Sequence, residues 1–156
     1  MKTIKTILFL FASTICLSQT ISKSPIYVGE WPTYVGNNSF KIEELEPGYI
    51  YFAGQNSEYE HIINIASFSL SSKKEGLALI DKAIFMLGME KTANDQDIKD
   101  TFQKLELKRY GNDQQNIHFM WYEGGGYKSF NPFNLQELKN IKTALENYKY
   151  SSKINN

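Results

Sequence analysis

The chain has 156 residues with 17 basic and 17 acidic side chains, so it carries no formal net charge. Arg109 is the only arginine and the lysines form no cluster, which argues against nucleic-acid binding, where grouped cations must neutralise phosphates. A single cysteine, Cys16, leaves no route to an internal disulfide.

Residues 1–18 have the layout of a signal peptide. Lys2 and Lys5 precede the apolar run Ile7-Leu8-Phe9-Leu10-Phe11-Ala12, which ends near Leu17. Cys16-Leu17-Ser18 then sets small residues three and one before a cleavage point. The run is too short for a comfortable membrane span. Cleavage after Ser18 removes 18 of 156 residues and leaves 138, with 15 basic against 17 acidic side chains. The expected product is a slightly acidic, cysteine-free domain, periplasmic or secreted, and abundant Lys, Asn and Ile suggest a bacterial source. A cell-envelope lipoprotein anchored at Cys16 is the minor alternative, because Ile15 is branched where that processing needs a small residue.

Residues 19–38 read as an extended N-terminal arm. Tyr27-Val28-Gly29 is echoed by Tyr34-Val35-Gly36 across Trp31-Pro32, and this density of proline and glycine argues against a helix or a central strand. Residues 39–150 form a single domain. Residues 40–45 suit a strand, Glu46-Pro47-Gly48 a turn, and Tyr49-Ile50-Tyr51-Phe52-Ala53 a second strand that stops at Gly54-Gln55-Asn56-Ser57. Residues 59–66 complete a hairpin. Ser72 with Glu75 then forms a capping box ahead of Leu77, Ile80, Ala83, Ile84 and Leu87 at helical spacing, with Gly88 as the stop.

Residues 92–101 are polar. Ile98, Phe102 and Leu105 share a helical face, yet residues 102–110 suit a strand equally well. Residues 105–110 and 117–122 make a second hairpin about Gly111-Asn112-Asp113, and Gly124-Gly125-Gly126 separates it from a short strand at 127–130. Asn134 with Glu137 caps a last helix bearing Leu135, Leu138, Ile141, Leu145 and Tyr148, and residues 151–156 are a frayed tail. The fold expected is α+β: an antiparallel sheet of about five to seven strands with two main helices on one face. Gly54 and His61 match Gly111 and His118 at one offset, and the two helix caps match at a slightly larger one, so the halves also align as two tandem ββα units.

Motifs for chemistry are sparse. His61 and His118 are the only histidines and lack a third ligand at metal spacing, so both read as packing or surface residues. No serine sits in a nucleophile elbow, and the glycine run is not followed by the Gly-Lys-Ser/Thr of a phosphate loop. Asp95, Asp97 and Asp100 hint at calcium but lack the central glycine and terminal glutamate, which favours helix-start acids. No catalytic residue, cofactor or metal is expected.

One constellation stands out: Trp121-Tyr122-Glu123 beside the glycine loop and Tyr127, extended by Tyr51, Tyr59 and Tyr49 on the paired hairpin. Flat aromatic faces fill a partner's pockets or stack on sugars, and a carboxylate accepts hydrogen bonds from hydroxyls. The competing view is that Phe119 and Trp121 pack one face of a strand and Tyr122 the other. The function expected is a small exported non-catalytic protein (inhibitor, immunity-type or envelope accessory) that recognises a protein partner through this aromatic surface. The alternative is a carbohydrate-active enzyme or glycan-binding module using Trp121, Tyr122 and Glu123.

Overall fold

The computed structural model describes residues 24–33, 36–45, 48–59, 64–90, 96–130 and 132–150. The leader with Cys16, most of the proposed lead-in, Tyr34 and Val35, His61, Asp95 and the tail at 151–156 lie outside the described residues.

Each half runs strands first and a helix last. The first half holds β1 (Tyr27–Thr33), β2 (Gly36–Glu44), β3 (Ile50–Gln55), β4 (Ile65–Leu70) and α1 (Lys73–Gly88). The second holds β5 (Ile98–Phe102), β6 (Leu105–Tyr110), β7 (Asp113–Glu123), β8 (Gly126–Ser129), β9 (Phe133–Asn134) and α2 (Leu135–Asn147). The class is α+β, with the strands divided between two antiparallel sheets, one in the order β1-β2-β3-β4 and the other β5-β6-β7-β8 with β9 also on β7. This is more strand than the sequence suggested, for two reasons. Residues 27–33 of the supposed arm pair with β2 throughout, as an edge strand that tolerates Pro32. The ambiguous polar stretch pairs as β5 against β6, so its helical reading fails. No helix among the described residues is long and apolar enough to cross a membrane.

The tandem alignment holds at the helices and shifts at the strands. Ser72 and Asn134 are both N-caps, accepting from the backbone N–H of Glu75 at 3.2 Å and of Glu137 at 3.0 Å. In position before the last hairpin and helix, however, β3 corresponds to β7, whereas the Gly54–Gly111 match set it against β6. Among the described residues each half holds four or five strands and a helix, the last strands before each helix being β3-β4 and β7-β8-β9.

Alternation decides the core. Phe40, Ile42, Ile50, Phe52, Ala66 and Leu70 of the first sheet meet Leu105, Leu107, Ile117, Phe119 and Phe130 of the second, all buried. Phe40 bridges them edge-on to Phe130 and Phe133, each with ring centres 5.1 Å away. Helix α1 adds Leu79, Ile80, Ala83 and Met86, and α2 adds Leu138, Ile141 and Leu145. Leu135, expected on that face, is exposed in the first turn. Neither helix carries a basic residue in its last turn. The cation that suits a C-terminal dipole comes from elsewhere in each case. Lys73 Nζ donates to the carbonyls of Glu146 and Tyr148, both at 2.9 Å, and the Arg109 guanidinium serves the end of α1. The sole arginine is thereby 2 % exposed and unable to meet a phosphate.

Two further polar groups tie distant segments. Buried Glu44 accepts from Gly48 N–H at 3.0 Å and from the Tyr148 hydroxyl, locking the β2–β3 turn to the end of α2. Burial, with the Glu44 hydrogen bond second, pushes the Tyr148 phenol up to about 12. Asn56, fully buried beyond β3, makes an isolated bridge to Phe130, and beside it Ser57 N–H donates to the Ser129 carbonyl, so the two halves meet there through backbone.

Candidate functional site

On β7, residues 117, 119 and 121 face the core, and 118, 120 and 122 alternate to the other side. Trp121 is consequently 6 % exposed, edge-on to Phe68 at 5.3 Å and near Phe130 at 5.0 Å. Tyr122 is 66 % exposed and meets Tyr127, its cross-strand partner on β8, edge-on at 5.6 Å. The hairpin between them turns on Gly124 and Gly125 alone, at φ of +61° and +86°. Two consecutive left-handed residues make the kind of turn that matches strand twist and that side chains resist. The glycine run is therefore a tight turn that sets the Tyr122–Tyr127 register.

Beside this hairpin lies a cleft of about 620 Å³. Tyr51, Ser67, Phe68, Ser69 and Leu70 line it from β3 and β4, Gln103, Lys104 and Leu105 from the β5–β6 turn, and Trp121, Tyr122 and Glu123 from β7. A smaller hollow of about 240 Å³ continues past Tyr122 to Tyr127. Glu123 accepts from the Trp121 indole N–H at 3.4 Å, which turns the indole edge toward the cleft. Of the seven residues singled out in the sequence, Tyr51, Trp121, Tyr122 and Glu123 share the cleft, Tyr127 borders it, and Tyr49 is exposed away from it. Tyr59 does not join them. It is exposed at the β3–β4 turn, where its carbonyl accepts from Gln55 Nε2 at 2.8 Å. Trp121 belongs to the core and shows the cleft only its rim, so the aromatics exposed beside the cleft are Tyr122 and Tyr127.

Ser67, Ser69, Gln103 and Lys104 were not singled out in the sequence. Gln103 is the one described non-glycine residue at positive φ, +54°, a conformation often held where a site is built. No local pattern marks it. β4 is free of charge and proline, a composition that marks an open edge only once its neighbours are known.

The remaining candidates fall away from the cleft. Asp97 and Asp100 are neither calcium ligands in a common loop nor helix-start acids. They flank and enter β5, and each is held by its own lysine at 2.9 Å: Lys108 for Asp97, Lys82 for Asp100. Those hydrogen bonds keep both carboxyls below the usual carboxylate range. His118 sits edge-on to Tyr110 at 4.8 Å, with Asp113 4.0 Å away. Among the described residues no group of three potential ligands is close enough to hold a metal ion.

Burial is the main influence on His118 and lowers its pKa below 6.5, against a smaller opposing effect of Asp113. The folded state thus binds fewer protons than the unfolded chain. The stability this contributes is complete above the unfolded value and is lost as pH falls through the folded one. Replacing His118 with Gln should flatten the decline in urea midpoint as pH drops from about 7 to about 5. An unchanged slope in the variant would assign that decline to other groups.

No family model matches the chain, and no curated protein or solved structure compared with it does either.

Proposed function

We propose that this chain is an exported, non-catalytic binding domain that takes a protein partner at the cleft between β4 and β7. The observation that carries this reading is the Tyr122–Tyr127 pair, two large aromatics mostly exposed yet held in register on a rigid hairpin at the cleft mouth. Rigid aromatics supply contact area at low entropic cost and dominate interface anchors. Among the described residues Glu123 is the one carboxylate lining the main cleft, with Glu106 in the adjoining hollow, whereas glycosidases generally use a pair flanking the bond they break. The lining therefore favours binding over sugar hydrolysis.

The test replaces both exposed tyrosines with alanine. Tyr122→Ala with Tyr127→Ala should leave the thermal midpoint within a few degrees of wild type and should abolish retention of the partner from envelope extract. Equal retention by both proteins would overturn the proposal. Release of reducing ends from a polysaccharide panel, lost in Glu123→Gln, would replace it with the carbohydrate reading.

A further inference from the structure

Apart from the two-residue β9, the two sheets have four outer strands among the described residues, and three are protected against further pairing. β1 carries Glu30 and Pro32, β5 carries Lys99 and Asp100, and β8 is four residues long with Lys128. Charges, proline and short length are the usual ways a sheet edge is blunted. β4 has none of them. Its six residues, Ile65-Ala66-Ser67-Phe68-Ser69-Leu70, are uncharged and free of proline, and no other described strand pairs with its second edge.

The register shows which groups that edge offers. Asn56 N–H donates to the Asn64 carbonyl at 2.7 Å, in line with the pairing of Gln55 with Ile65 and Gly54 with Ala66. Hydrogen-bonded pairs alternate along an antiparallel ladder. Ala66, Phe68 and Leu70 therefore bond to β3, and the N–H and C=O groups of Ile65, Ser67 and Ser69 point away from it. Ser67 and Ser69 line the cleft. Their small side chains leave the backbone open to approach, and Phe68, Leu70, Leu105 and the rim of Trp121 supply an apolar surface alongside.

We infer that the cleft binds its protein partner by strand addition: an extended segment pairs with β4 through Ser67 and Ser69 and lays alternate apolar side chains over Phe68 and Trp121. Backbone donors and acceptors at every second residue are satisfied by an extended chain and poorly by a helix or a sugar. A second copy of β4 fits less well, because the Gln103–Lys104 turn and Tyr122 flank the strand in both copies. This inference rests on the protein-binding reading above and specifies how the contact is made.

The experiment pans random linear peptides displayed on phage against the full chain, then methylates the backbone nitrogens of the best synthetic binder one at a time. Strand addition predicts alternation, with affinity falling roughly tenfold or more at every second position and little between them. It predicts the same alternation in the protein. The amides of Ser67 and Ser69 should exchange quickly in the free chain and slowly with peptide, while those of Ala66 and Phe68 stay slow in both. Ser67→Pro removes an outward N–H without touching the β3 ladder and should cost the same tenfold, where Ser67→Ala costs nothing. Peptides that bind without alternation or protection would overturn strand addition while leaving the aromatic cleft as the binding site, a point the tyrosine double variant reads separately. Slow Ser67 and Ser69 amides in a free monomer would mean the edge is already covered and would overturn it too. The same protection appearing on dimerisation would make the occupant a second copy.

Discussion

Replacing Arg109 with alanine should lower the free energy of unfolding by about 3–5 kcal/mol, the scale of leaving several buried carbonyls without a donor and opening a cavity. The guanidinium enters the core from β6 and forks onto the carbonyls of Leu87 at 3.3 Å, Met89 at 2.8 Å and Glu90 at 2.9 Å. These lie at and just beyond the end of α1, where helical carbonyls lack partners of their own. The alanine variant leaves three acceptors and a cavity the size of the lost side chain. Arg109→Lys keeps the charge but cannot fork, and should recover only part of the loss. Urea unfolding at neutral pH measures both. A loss below about 1 kcal/mol for the alanine variant would mean water replaces the guanidinium without penalty.

Asn56→Ala should cost about 2–4 kcal/mol, because both of its side-chain groups have partners and the Ser129 N–H would be left buried. Its side-chain carbonyl accepts from Ser129 N–H and Glu58 N–H, both at 3.3 Å, and its amide donates to Asn64 Oδ1 at 3.2 Å. Around it Ser57 N–H donates to the Ser129 carbonyl at 2.9 Å, and the two serine hydroxyls are hydrogen-bonded to each other. This knot joins the β3–β4 turn to the end of β8, so it sets how far β4 stands from Trp121. The variant should lose binding at the cleft more than its folded fraction alone accounts for. Thermal denaturation compared with peptide affinity separates the two effects, and a change in stability with affinity intact would confine the knot to holding the fold.

The same residues show what a one-dimensional reading can and cannot reach. Helix boundaries are local chemistry, and Ser72, Gly88 and Asn134 mark them because caps act within four residues. The alternation of β7 is local too, so the division of Phe119 and Trp121 from Tyr122 was legible before any coordinates. Gly54-Gln55-Asn56-Ser57 reads in the sequence as the stop of a strand and no more. Asn56 and Ser57 form a junction with β8, and nothing nearby in sequence reveals it, since their partner Ser129 lies more than seventy residues on. Of the strand expected at 59–66, Ile65 and Ala66 lie in β4, and residues 60–63 lie outside the described residues. The cleft was half visible, its aromatic wall obvious and its edge strand hidden, because an uncharged strand signals nothing until its neighbours are known.

The burial of the only arginine gives the chain a built-in reporter of its own opening. An arginine-specific protease has one bond to cut, after Arg109, and in the folded molecule that bond lies inside β6 with its side chain out of reach. Two fragments can arise only from molecules in which the second sheet has come apart.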